Sequence, residues 1–229
     1  ASVTQELKFS RIANHEIDAS TTNMAGGNTT VSGDLSDVTV LFDEDGNYSS
    51  VDYTLSLDYL GDEPISTFTV VGTIGGTDGS DWAVTFFNPD SETWDDEFTF
   101  QFGLLDTNNS TTYDDLRVRV TPANLSTAHS FDAGHNVRIL IQTADGYSFE
   151  HSLTVRIPQF HSFELTEEMV DIYGIRPGES LNIGIKFLNA GNGDEKFVFE
   201  FDDTQLPEYW ERTGATSHTL GAFTATTHT

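Results

Sequence analysis

Seven oxygen-bearing side chains in two short stretches are the residues best suited to chemistry. Asp43-Glu44-Asp45-Gly46-Asn47 sets carboxylates and an amide around a glycine, the donor type that a hard cation such as calcium prefers. It lacks the third acid and the distal glutamate of a helix–loop–helix calcium loop, and its Asp-Gly pair is equally a hairpin-turn signature. Asp90-Ser91-Glu92-Thr93-Trp94-Asp95-Asp96-Glu97 crowds five acids around one indole. Their repulsion would be relieved by a bound cation, or by water if the run is a solvated loop. Calcium at Asp43, Asp45, Asn47, Asp90, Glu92, Asp95 and Asp96 is therefore the one metal expectation, and no other cofactor is expected.

Catalytic patterns are not evident. His15, His129, His135, His151, His161, His218 and His228 are scattered, with no H-x-H or H-x-x-x-H pair, which argues against zinc. No G-x-S-x-G elbow occurs. With 37 acids in 229 residues, carboxylate pairs exist at every separation and point to no glycoside chemistry. The sequence reads as a non-enzyme.

Charge bounds the partners. The 37 acids face 10 basic residues, only Lys8, Lys186 and Lys196 being lysines, for a net charge of −27 and a pI near 4.1. Such a field repels nucleic acid and anionic membrane, tolerates salt and attracts cations. No apolar run is long enough to span a bilayer, so no membrane insertion is expected in this segment. Zero cysteines exclude disulfides and thiolate sites. N-x-S/T sequons at Asn28, Asn47, Asn108, Asn109 and Asn124 fit a secreted or cell-surface chain that carries glycans.

The elements that must position these residues are strands. Leu55, Leu57 and Tyr59 alternate with Ser56 and Asp58, the period-two mark of a strand with one wet face. Similar runs occupy 38–42, 68–74, 82–87, 98–104, 116–120, 137–141 and 153–157, with turn signals such as Gly75-Gly76, Asn88-Pro89 and Asp145-Gly146 between them. Only 163–170 (FELTEEMV) holds anything near a helical period. The pattern predicts an all-β fold of antiparallel sandwiches.

A slide of 128 residues exposes a repeat. Tyr53, Leu55, Leu57, Tyr59 and Leu60 fall on Leu181, Ile183, Ile185, Phe187 and Leu188; Gly46 falls on Gly174, Val70 on Val198 and Trp82 on Trp210. Residues 32–159 read as one sandwich and 160–229 as a second. The second lacks a counterpart of 102–158, as a fragment of a longer array would. Residues 1–31 remain as a strand segment around Val3–Phe9 (VTQELKF), either the end of a preceding repeat or a donor strand. The paired tryptophans read as core plugs. Asn189-Ala190-Gly191-Asn192-Gly193-Asp194 is followed by a strand pattern, not the helix a phosphate cradle needs, so it reads as a hairpin corner.

The stretch Glu179–Trp210, through Asn189, Gly191, Asn192, Asp194, Phe197, Leu206, Pro207 and Trp210, resembles the CARDB and NEW3 modules of archaeal and bacterial surface proteins. The resemblance is good over about 50 residues of the second copy and weaker in the first, where Trp82 and Ala144–Pro158 carry it. It implies immunoglobulin-like sandwiches strung along extracellular proteins as spacers or adhesive modules, without catalytic residues. The expectation is a structural or adhesive spacer at the cell surface, bound to further copies of the module or to surface proteins and glycans. Two alternatives stand beside it: a filament subunit that donates a strand to its neighbour, and a carbohydrate-binding module.

Overall fold

The computed structural model describes residues 16–43, 45, 47–61, 68–75, 82–100, 111–122, 134–144, 146–166, 176–181, 184–200, 204, 208 and 211–228. Alternation dictates the strands. In Val51–Tyr59 every odd-numbered residue is buried and every even one is partly exposed. In Gly134–Thr143, Val137, Ile139 and Ile141 face inward in the same way.

Among the described residues, eleven strands build the first unit: β1 (Ile17–Ala25), β2 (Asn28–Thr29), β3 (Asp37–Thr39), β4 (Val51–Tyr59), β5 (Phe68–Gly75), β6 (Ala83–Asn88), β7 (Thr93–Asp95), β8 (Glu97–Phe100), β9 (Thr111–Thr121), β10 (Gly134–Thr143) and β11 (Ser148–Arg156). They form two sheets, ordered β1-β4-β9-β6-β7 and β2-β3-β11-β10-β5-β8. All described pairings are antiparallel except β3 on β11. Taken in chain order, β1, β4, β5, β6, β9, β10 and β11 occupy the A to G positions of an immunoglobulin-like sandwich, A-B-E-D facing C-F-G. β2 and β3 are added between A and B, and β7 and β8 between D and E. β1 and β2 precede residue 32, so the first unit reaches back past that sequence boundary.

The second unit repeats the order in shorter form. β12 (Phe163–Leu165), β13 (Ile185–Asn189) and β16 (Ala225–His228) pair as β12-β13-β16, matching A-B-E; β14 (Glu195–Val198) pairs with β15 (Ser217–Leu220), matching β5 with β8. The fold is all-β, with tandem antiparallel sandwiches and no helix among the described residues; none there is long and apolar enough to cross a membrane.

Several sequence expectations need correction. The Asn189–Asp194 loop is not a hairpin, because β13 and β14 lie in different sheets, as β4 and β5 do; it arches across the core. β16 takes the place of β9, although a gapless slide sets Ala225–His228 opposite β8 (Glu97–Phe100), so the second unit reaches its E strand sooner than the slide implies. The slide also slips by one residue at Val198, which is 62% exposed where Val70 is fully buried. Phe197 and Phe199 are the inward residues there, their rings 5.0 and 5.2 Å from Phe187. Phe163–Leu165, in the one run with anything near a helical period, is a strand, since its backbone pairs with Phe187–Asn189. Trp210, Ile183, Gly46, Gly174 and Val3–Phe9 lie outside the described residues.

Of 24 buried hydrophobic side chains among the described residues, 23 belong to the first unit and only Phe187 to the second. Five of the large exposed apolar side chains, Phe163, Leu165, Leu181, Val198 and Phe223, sit in the second unit.

Candidate functional site

Two features of the second unit stand out: the joint to the first unit and the edge of β14. The joint is made by the glycine-rich arch. Asn189 closes β13 with its amide fully buried, where an unmade hydrogen bond would be expensive. Its Nδ2 donates to the carbonyls of Gly193 (2.8 Å), Leu220 (3.2 Å) and Gly221 (3.0 Å), and its Oδ1 accepts from the Gly191 N–H (3.0 Å). One side chain thus holds the arch closed over the β15–β16 connection.

Asn192 faces the other way and is 1% exposed. Its Oδ1 accepts from the Phe160 N–H (2.7 Å), and its Nδ2 donates to Pro158 O (3.1 Å) and to Tyr48 Oη (2.9 Å). Phe160 packs edge-on to Phe42, which in turn meets Tyr48. A Cβ on Gly191 would run into the Phe160 carbonyl, so only glycine lets the arch come this close to the linker. Gln159 Nε2 adds bonds to Asp194 O (3.3 Å) and Glu195 Oε1 (2.9 Å), and His161 Nδ1 meets that same carboxylate. Burial pushes the Tyr48 hydroxyl up to about 12, against a smaller opposite pull from Asn192. The motif is a pinned joint; its polar atoms are already spent on protein groups.

The edge of β14 is the open feature. In the first unit β5 lies between β10 and β8. In the second, β15 takes the place of β8, and no described strand pairs with β14 on the β10 side. Phe187, Phe197 and Phe199 line the core behind that edge. A strand edge with apolar residues behind it is a template for another strand.

The acids singled out as calcium ligands do other work or stay apart. Asp43 Oδ1 accepts from the backbone N–H groups of Asp45 (3.0 Å) and Asn47 (2.8 Å), with Phe42 bridging to Tyr48 across the turn, and these bonds lower the Asp43 pKa. Asp45 and Asn47 are exposed. Asp90 and Glu92 sit on the β6–β7 turn, with Glu92 at φ 57°. Asp95 accepts from Asn88 and Thr93, while Asp96 is exposed between β7 and β8. No group of three or more such ligands converges among the described residues. Asn28 lies exposed on β2; Asn108, Asn109 and Asn124 lie outside the described residues. Trp82 is buried and packs at a tilt against His135, ring centroids 4.5 Å apart, inside the first core.

Sequence reasoning missed a ladder on the outer face of the first sheet. Arg117 lies 3.7 Å over Phe87, Arg119 lies 4.0 Å over Trp94, and the two rings meet at 5.4 Å. Arg119 also forms a two-pronged pair with Asp52 (2.7 and 2.8 Å). Trp94 therefore has an arginine on one face, as favourable cation–π geometry requires. The alternation Arg-Val-Arg in β9 was the available signal.

No protein family matches this sequence, and no curated protein is detectably similar to it. Among solved structures it is similar to the CooA pilin subunit of enterotoxigenic Escherichia coli (9% identity, TM-score 0.39, 62% of this chain and 97% of that one). It is also similar to a DUF4466 family protein from Parabacteroides merdae (12%, 0.29, 68% and 50%) and to BcpA, the major pilin subunit of Bacillus cereus (9%, 0.28, 82% and 61%). At these scores the strand order described above, not the likeness, defines the fold class.

Proposed function

We propose that this chain is a structural subunit of an extracellular assembly, which associates with further copies of itself by strand addition. The observation that carries this reading is the contrast in cores: among the described residues, 23 buried hydrophobic side chains lie in the first unit and one in the second. A two-layer sandwich gains its stability from the apolar area it encloses. A unit in which Phe187 is the one buried hydrophobic side chain among the described residues, with five large apolar ones exposed, gains by accepting another strand. The sequons and the charge of −27 support a saline exterior.

The test is light scattering and negative-stain microscopy of the full chain over a wide concentration range. Polymers that lengthen with concentration are expected. A monodisperse monomer at the highest concentration, with both units unfolding cooperatively, would defeat the reading.

The spacer reading implied by the CARDB and NEW3 resemblance has one observation in its favour. The Asn192 joint fixes the two units to one another, as a stiff rod of modules requires. Small-angle scattering on monomers would show one fixed length if the joint is rigid.

A further inference from the structure

We infer that residues 3–9 of one copy insert beside β14 of the next, so that copies join head to tail. The inference rests on the self-association proposed above and assigns its donor, its acceptor and its polarity.

Polarity comes from the first unit. β1 begins at Ile17 opposite Tyr59, the last residue of β4, and the Leu60 N–H donates to Glu16 O. Val51, the first residue of β4, lies near Tyr48 and therefore near the joint. The chain before Ile17 thus leaves the first unit at the pole away from the second unit. The nine residues of β4 set the two poles eight steps apart, about 26 Å of strand. Residues 10–16 span at most about 24 Å when fully extended. A donor at 3–9 cannot return past the whole first unit and still reach β14, which starts beyond the joint. Another copy, stacked on the outer pole, can offer its second unit there directly.

The acceptor fits the donor. β10 in the first unit pairs antiparallel with β5 and buries Val137, Ile139 and Ile141 between the layers. Val3-Thr4-Gln5-Glu6-Leu7-Lys8-Phe9 alternates in the same period, with Val3, Gln5, Leu7 and Phe9 on one face, apolar but for Gln5, and Thr4, Glu6 and Lys8 on the other. Inserted beside β14, the first face covers Phe187, Phe197 and Phe199, while the second joins the exposed Lys196 and Val198 on the wet side. Main-chain hydrogen bonds then supply affinity and alternate side chains supply register. The contact is heterologous, donor pole to acceptor pole, so it propagates into a fibre instead of closing a two-fold dimer.

The absence of native cysteine makes the test clean. One preparation carries Val198→Cys; a second, mass-tagged, carries Thr4→Cys, Glu6→Cys or Lys8→Cys; a control carries Gln5→Cys, on the inward face. After mixing and mild oxidation, at least one outward-facing variant should give disulfide heterodimers about tenfold over the control, as expected of a high local concentration. Leu7→Asp with Phe9→Asp should abolish both crosslink and polymer while leaving the melting of the first unit unchanged. Polymers that persist without any heterodimer would overturn this donor and acceptor but leave self-association standing. Absence of polymers would remove the underlying reading. A Glu6→Cys/Val198→Cys double variant that closes on itself as a monomer would overturn insertion between copies.

Discussion

Tyr48 and Asn192, 144 residues apart, meet through a 2.9 Å hydrogen bond that ties a turn of the first sandwich to the arch of the second. The amide that makes it is 1% exposed and holds two further bonds to the linker between the units. This buried side chain therefore helps to set the orientation of the two sandwiches, together with the Phe42–Phe160 ring contact and the bonds of Gln159.

Removing that side chain should uncouple the units. Asn192→Ala leaves the Phe160 N–H and the Pro158 carbonyl without their partner, at about 1–3 kcal/mol; Tyr48→Phe removes a single bond at about 1 kcal/mol. Urea denaturation of both single variants and the double should give a coupling energy of about 0.5 kcal/mol or more. Additive losses would show that the Tyr48–Asn192 bond carries no coupling.

Asn189 should be the more sensitive of the two amides. Asn189→Ala strips a donor from the carbonyls of Gly193, Leu220 and Gly221. Asn189→Asp retains the shape but aims a carboxylate at those same oxygens, so it should be at least as destabilising. Thermal melts of the two variants decide this: recovery of stability by aspartate over alanine would mean that shape, not hydrogen bonding, governs the arch.

Gly72 permits the close approach of the two layers in the first unit. A Cβ there would lie 2.6 Å from Val84 Cβ, so Gly72→Ala should cost about 1–3 kcal/mol through overpacking. Val84→Ala in the same chain should return part of the loss, because it removes the Cγ1 that the new methyl would strike while leaving the Cβ in place. Denaturant midpoints of the single and double variants test the pair; a double variant less stable than Gly72→Ala alone would contradict it.

Stability should fall at both ends of the pH scale, for opposite reasons. The hydrogen bond from Arg156, strengthened by its charge, lowers the Asp37 pKa below its ordinary value near 3.8. The unfolded chain then binds more protons below that value, so this stabilisation is complete above it and drains as pH falls through the folded pKa. Asp37→Asn should flatten the acid limb. Tyr48 has the reverse shift, from 10 to about 12 through burial. Its protonated form favours the folded state, so stability present below pH 10 is lost between 10 and about 12, and Tyr48→Phe should remove that part of the alkaline slope. Unfolding curves taken across pH 2 to 12 read both limbs.

Much of the strand pattern was legible locally, because inward and outward faces alternate every second residue whatever the partner. The runs at 51–59, 68–75, 134–143 and 148–156 are cases in point. β1 was not legible: Ile17–Ala25 is mostly small and polar, and it is a strand because β4 offers an edge. The calcium expectation rested on oxygen donors around Gly46 and on the crowding of acids at 90–97, and neither pattern fixes where the side chains converge; Asp43 spends its carboxylate on its own turn. Asn189, Gly191 and Asn192 were recognisable as a motif, yet their work was misread as a hairpin.

By itself the sequence determined an all-strand chain, its acidity and the order of its apolar faces, since these follow from residue type and a two-residue period. Only the tertiary structure decided which sheet each strand joins, which carbonyls the buried amides satisfy and at which pole the chain enters the first unit. Those depend on contacts between residues far apart in the chain, and Tyr48 carries no local sign that its partner stands at 192.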